Sequence, residues 1–305
     1  MAHEPVTLEN EFWQTGILPF TGASIAFGRV RQGDAWVDVM RRTNPVDYGN
    51  SSKCSSFIML PWCNRIKDGI LRFQGVEYPL EATPDDGTAR HGDVRKRTWT
   101  VDEQTETLVS LSLDSRDQIN VNYPFAFAAV AEYWLDGRAF VWKLTLTNVD
   151  SRPMPGGFGH HPYFVRTTGD NTPILTIPCD SEFELQNSLA VAPPVPVSPA
   201  LDFRQPRSIG DATFDHLLTG RQGDAPARLR YPAWNVELVM EADPIFQQFI
   251  LYAPGDASVA VEPMTNANDG FNLYERGISE SGIFVLQPGE SVSGEVRLRL
   301  ENPTN

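Results

Sequence analysis

Cysteine is scarce in this sequence. There are three, Cys54, Cys63 and Cys179, with no CxxC spacing among them. A disulfide framework or a metal knuckle is therefore not expected, and the simplest account is free, mostly buried thiols in a reducing compartment. Long apolar runs are also absent, so no membrane span is expected. The first residues, MAHEPVTLENEFWQ, lack the basic flank and apolar stretch of a signal peptide. These absences lead to an expected cytoplasmic location. Positive charge is in deficit, with 25 Lys and Arg against 39 Asp and Glu and a formal net charge of -14. Such a surface repels phosphate backbones and anionic lipid, which disfavours nucleic acid and membranes as partners, and otherwise serves solubility. There is no GxSxG elbow, P-loop or helix-opening GxGxxG, so serine nucleophile chemistry and dinucleotide binding lack support. The five histidines show neither HxH nor HExxH spacing, and no metal is expected.

What is present is strand. Hydrophobic residues make up 41% and charged residues 21%, an ordinary globular composition, and the length permits one large domain or two smaller ones. Trp36–Met40, Phe57–Leu60, Thr107–Leu113 and Phe140–Val149 are rich in β-branched and aromatic residues. In the last, Trp142, Leu144 and Leu146 alternate with Lys143, Thr145 and Thr147, the period of a strand with one buried face. Hairpins are predicted around Gln74-Gly75, around Asp136-Gly137, and around Gln287–Glu290 between Ile283–Leu286 and Ser291–Leu300. No long amphipathic helix pattern appears. Short strands with turn residues between them point to an all-β sandwich or barrel. The proline-rich stretch Val191–Pro206 reads as an extended loop within one domain, 1–305, because strand-like sequence continues on both sides.

Reactive side chains gather at Asn64-Arg65, His91-Gly92, Gly159–Phe164 and Glu262-Pro263. Glu262 follows an apolar run that reads as a buried strand. It is either functional, since an isolated buried charge is costly, or an exposed strand end paired with an arginine. His160 and His161 are neighbours and should face opposite sides of a sheet, which argues against one shared metal. Either ring also fits a hydrogen-bonded structural histidine. His216 reads as structural, and His3 as part of a mobile terminus.

These motifs, in order, resemble the aldose 1-epimerases. Pro61-Trp62-Cys63-Asn64-Arg65-Ile66 is similar to their PxxNRI, Phe73–Leu80 to a FxGxxYxL hairpin, His91-Gly92 to HG, and Tyr123-Pro124-Phe125 to YPF. Gly159–Phe164 is similar to GxHPYF, Asp211–Phe214 to DxxF, and Val261–Thr265 with Phe271-Asn272 to EPxT…FN. The resemblance implies a large antiparallel β-sandwich and interconversion of the α and β anomers of an aldose, with no cofactor or metal. It makes Glu262 the base for the anomeric proton and His161 the acid at the ring oxygen. His91 would hydrogen-bond near that oxygen. Arg65, Asp211 and Asn64 would bind hydroxyls, and Tyr163 would shape the pocket. The partner is then a monosaccharide or its phosphate, and the protein a monomer or homodimer.

The sequence departs from the pattern in places. Asp215 competes with Asp211. Ile250 stands where some members have glutamine, with Gln247 and Gln248 just upstream. Arg90, Arg95, Lys96 and Arg97 crowd the His91 segment, either as a salt-bridged surface or as a receptor for a phosphate. A hexose-6-phosphate epimerase, a non-catalytic carbohydrate-binding protein and an unrelated cupin-like metalloenzyme are the alternatives.

Overall fold

The computed structural model describes residues 4–166 and 172–302; His3 lies outside them. A nine-stranded antiparallel sheet runs in the order Thr100–Gln104, Leu108–Asp114, Phe127–Asp136, Ala139–Asn148, Ser291–Glu301, Val236–Ala242, Ala227–Tyr231, Ile174–Thr176, Arg207–Ser208. An eight-stranded antiparallel sheet runs Val195–Pro196, Cys179–Phe183, Phe214–Arg221, Gln248–Ala253, Ser258–Met264, Gly159–His160, Ile58–Met59, with Tyr163–Val165 also paired to Ser258–Met264. Val6–Glu9, Trp13–Leu18, Ser24–Gln32 and Ala35–Asp38 form a smaller meander. Among the described residues one α-helix occurs, Gly270–Glu275, and no helix is long and apolar enough to cross a membrane.

Alternation explains how the two large sheets pack. In Ala139–Asn148, Trp142, Leu144 and Leu146 are buried while Lys143, Thr145 and Thr147 are partly exposed, the expected one-sided strand. The inward residues join Phe249, Leu251, Val259 and Val261 of the eight-stranded sheet in one apolar cluster. Cys54, Cys63 and Cys179 are free and buried.

Turn chemistry explains one predicted hairpin and corrects two. Phe73 pairs with Val76 across Gln74-Gly75, both at positive φ. The second hairpin closes one residue later than expected: Asp136 pairs with Ala139, so Gly137-Arg138 form the turn. Gly137, at φ 54°, supplies the positive φ that such a turn wants first. The third is no hairpin. Phe284–Leu286 pairs with Met154–Gly156, whereas Ser291–Glu301 pairs with Ala139–Asn148 and Val236–Ala242. The turn at Gln287–Glu290 hands the chain from one sheet to another. The proline-rich stretch makes a similar passage: Val195–Pro196 pairs into the eight-stranded sheet and Arg207–Ser208 into the nine-stranded one.

Leu144 is fully buried between Ala131 and Gly294 on the flanking strands. Leu144→Ala should cost about 2–5 kcal/mol of stability, the usual range for such a cavity. Denaturant unfolding of the two proteins measures it, and a loss under 1 kcal/mol, below the range for a tightly packed core, would contradict the burial.

Candidate active site

Gln248–Ala253 and Ser258–Met264 pair with Ile250 opposite Glu262. Phe249, Leu251, Val259 and Val261 face the core between the sheets, so Ile250, Tyr252 and Glu262 face the other side. There they line a cavity of about 390 Å³. Glu262 is 1% exposed and lies inside its strand, not at the strand end that the sequence suggested.

The two histidines part as alternation requires. His160 turns into the core, with ring centroids 5.9 Å from Tyr133 and 5.5 Å from Trp142, and its Nδ1 3.4 Å from Ser56 Oγ. His161 turns to the cavity, with Nε2 3.1 Å from Glu262 Oε1. Its imidazole is layered between Phe57 and Tyr163 at centroid distances of 4.6 and 4.5 Å. Guanidinium groups end the column, Arg41 at 3.6 Å from the Tyr163 centroid and Arg95 at 5.2 Å from the Phe57 centroid.

A second wall comes from a distant stretch of chain. Arg65-Ile66 pairs with Ala89-Arg90, and the His91 N–H donates to the Asn64 carbonyl at 2.7 Å. Asn64 and His91 both take left-handed backbone, at φ 55° and 58°, a conformation that costs any residue with a Cβ. Gly92 follows at φ 70°, where a Cβ would fall 2.1 Å from the Leu60 carbonyl oxygen. The two bends bring Asn64, Arg65 and His91 to the cavity. The His91 and His161 rings meet edge to face at 5.5 Å. Asn266, just beyond the Glu262 strand, locks this wall in place: its Oδ1 accepts from the Cys63 N–H at 3.0 Å and its Nδ2 donates to the Cys63 carbonyl at 3.3 Å.

Asp211 is the exception among the candidate residues. It is exposed in a turn and is not among the residues that line the cavity. Asp215 lines it instead, because Phe214–Arg221 pairs with Gln248–Ala253 and sets Asp215 opposite Tyr252. A one-motif reading of Asp211–Phe214 misses this, since Asp211 precedes the strand. Ile250 stands on the cavity wall, while Gln248 is buried and donates to the Glu280 carbonyl at 2.8 Å. Phe57 and Tyr252 were not singled out from sequence. Tyr252 lies two residues from Ile250, so alternation alone would have placed it. His216 is not a lining residue.

Burial governs the electrostatics. It raises the Glu262 carboxyl well above the ordinary carboxylate range; Asp215 adds to the rise and Arg65 opposes it. Burial also lowers the His161 imidazole to about 3, with Arg41 acting in the same direction. Both shifts disfavour the charged form of their group, and His161 Nε2 has the Tyr163 hydroxyl as a second neighbour at 3.4 Å. Among the described residues, Glu262 Oε2 and His161 Nδ1 have no hydrogen-bond partner. Burial, then the neighbouring His161, lowers His91.

The family model for aldose 1-epimerase matches residues 6–299. The chain belongs to the aldose 1-epimerase family. It is 24% identical over 262 residues to the uncharacterised protein YphB of Escherichia coli K12, covering 83% of this chain and 86% of that one. It is 25% identical to E. coli K12 YihR over 226 residues, 70% and 71% of the two chains. A galactose mutarotase-like protein from Clostridium acetobutylicum superposes with TM-score 0.86 at 18% identity, covering 97% and 95%. The aldose epimerase homologue of C. elegans superposes with TM-score 0.84 at 17% identity, covering 98% and 99%. The fold is therefore the galactose mutarotase-like one. Membership in the aldose 1-epimerase family places the chain among sugar isomerases.

His160, at 1% exposure, supplies a test of neutral burial. Burial lowers it from 6.5 to about 3. Its stabilising contribution is complete above pH 6.5 and is lost as pH falls toward 3, because the unfolded chain then takes up a proton that the fold refuses. Wild type should therefore lose about 1.4 kcal/mol per pH unit more than His160→Gln below pH 6.5. Denaturation between pH 7 and 5 checks this; a gap independent of pH would contradict it.

Proposed function

We propose that the protein is a cofactor-independent mutarotase, a single domain that interconverts the α and β anomers of an aldose. The contact between His161 Nε2 and Glu262 Oε1, 3.1 Å apart on the wall of a sugar-sized cavity, carries this reading. A hemiacetal carries its two oxygens on one carbon. Ring opening takes a proton from the anomeric hydroxyl and gives one to the ring oxygen, so base and acid must converge within a few ångströms.

The pair holds one proton between two sites. When it sits on His161, Glu262 is ionised and accepts the anomeric proton through its unpartnered Oε2. His161 then protonates the ring oxygen, the C1–O5 bond breaks and the aldehyde forms. The enzyme again carries one proton on the pair, now on Glu262. Rotation about C1–C2 exposes the other face of the carbonyl, and the reverse transfers close the ring. His91 is placed to donate near the ring oxygen, while Arg65, Asn64 and Asp215 offer charged and amide groups to hydroxyls. Asp215 replaces Asp211 in this assignment. A carbohydrate-binding role without catalysis would need no acid beside a base.

Glu262→Gln should slow enzymatic anomerisation by roughly 10²- to 10⁴-fold, the usual worth of a general base. Polarimetry of freshly dissolved α-aldose measures it, and an unchanged rate would refute the assignment. The raised carboxyl has its own signature. The carboxyl band present in wild type and absent from Glu262→Gln should titrate above the ordinary carboxylate range in infrared difference spectra, and a titration inside that range would contradict the raised carboxyl.

A further inference from the structure

Three arginines line the cavity: Arg65, Arg90 and Arg95. Arg65 and Arg90 share Asp86, each at 3.2 Å, and Arg90 also reaches Asp85 at 3.8 Å. Arg95 is different. Among the described residues no carboxylate lies within ion-pair distance of it. Its Nη1 donates to the Ser52 hydroxyl at 3.2 Å, and its guanidinium rests against Phe57. The group is half-buried and has Arg90 for a neighbour; burial first, then that like charge, weaken its hold on its proton. An unpaired, partly desolvated cation beside another cation is costly, and a bound anion removes the cost.

The main chain that presents Arg95 is rigid. The Asp93 and Val94 N–H groups both donate to the Leu60 carbonyl, at 2.9 and 3.3 Å. A Cβ on Gly22 would fall 2.4 Å from the Arg95 backbone. Arg97 is absorbed by Asp93, its Nη2 donating to Oδ1 at 2.8 Å. Asp85 and Asp86 offset Arg65 and Arg90, and Asp93 offsets Arg97, so Arg95 is left as the cation without a carboxylate on this wall among the described residues.

We infer that the sugar carries an anionic group on the end remote from its anomeric carbon, and that Arg95, assisted by Arg90, receives it. Phe57 sets the scale: His161 lies 4.6 Å from its ring centroid and Arg95 lies 5.2 Å from it. Acid and cation thus both border Phe57, within a span that a single hexose with a substituent on its far carbon covers. Phosphate, sulfonate and carboxylate share the chemistry that a guanidinium recognises. The inference rests on the mutarotase reading for which end of the sugar faces Glu262.

Exchange NMR gives kcat/KM for anomerisation of glucose and galactose, their 6-phosphates, their 6-deoxy-6-sulfonates and the corresponding uronic acids. At least one anionic sugar should exceed its neutral parent by roughly tenfold or more, and the best of the three arms identifies the group. Arg95→Met should lower kcat/KM for that sugar roughly 10- to 150-fold more than for its parent, the worth of a hydrogen bond to a charged group. Arg95→Lys should recover part of the difference, and added salt should shrink it. A neutral parent that matches every anionic form, or an Arg95→Met loss equal for both, overturns the inference and leaves the mutarotase reading intact. Calorimetric titration with glucose and glucose 6-phosphate separates the opposite case. Arg95-dependent preference for the phosphate without anomerisation of any sugar would support the anion subsite and sink the mutarotase.

Discussion

A carboxyl group and an imidazole, 3.1 Å apart and almost without solvent contact, set the terms for the rest of this molecule. An isolated carboxylate at that depth would be prohibitively costly, and a lone imidazolium nearly so. Together they need hold only one proton and no net charge. The arrangement requires a scaffold that keeps two side chains from separate strands in contact without letting water between them. Ser258–Met264 meets that need because it has partners on both sides, Gln248–Ala253 on one and Gly159–His160 with Tyr163–Val165 on the other. Glu262 and His161 are thus neighbours through strand pairing, although about a hundred residues of chain lie between them. The stacked rings of Phe57 and Tyr163 then hold the imidazole plane.

The residues after the strand do a different kind of work. Asn266 hydrogen-bonds both the N–H and the carbonyl of Cys63, and the Asp269 N–H donates to the Arg65 carbonyl at 2.7 Å. Asp269 Oδ1 accepts from the Lys67 N–H at 2.9 Å and from Asn272 Nδ2 at 2.7 Å. The segment that follows Glu262 therefore grips the Asn64-Arg65 bend. Asn266 and Asp269 are buried and bonded to the main chain, which fixes the second wall relative to the first. This explains why a motif that begins with Glu262 continues through Thr265 to Asn272. Thr265 Oγ1 accepts from the Phe158 N–H at 2.9 Å, and none of Thr265, Asn266 and Asn272 lines the cavity.

Strand character and one-sided burial were legible in the sequence because they depend on a period of two within a single strand. The opposite facing of His160 and His161 was legible for the same reason. What could not be read is the choice of pairing partner. Ser291–Glu301 follows Phe284–Leu286 through a tight turn, yet the two strands pair elsewhere, since their partners are selected by burial against distant chain and not by the turn. Asp211 and Asp215 show the same limit at the site. They flank Phe214 on either side, but only the register of Phe214–Arg221 with Gln248–Ala253 decides which reaches the cavity. The arginine cluster also divides only in three dimensions. Arg90 and Arg97 have carboxylate partners, whereas Arg95 does not.

That division bears on how one fold serves different sugars. The proposed acid–base pair sits beside paired strands at the centre of a sheet, where a shift of backbone would disturb many hydrogen bonds at once. Arg65, Arg90 and Arg95 sit instead on short strands and a single 3-10 turn at the cavity rim. Substitution there changes what the mouth of the cavity attracts without moving Glu262 or His161. Ile250 is the intermediate case: it occupies the strand beside Glu262, but its side chain is apolar and offers the sugar a surface with no hydrogen bond. On the proposed reading, a polar contact withheld at Ile250 and a cation offered at Arg95 shift recognition in the same direction, away from hydroxyls near the reacting carbon and toward charge at the far end of the ligand.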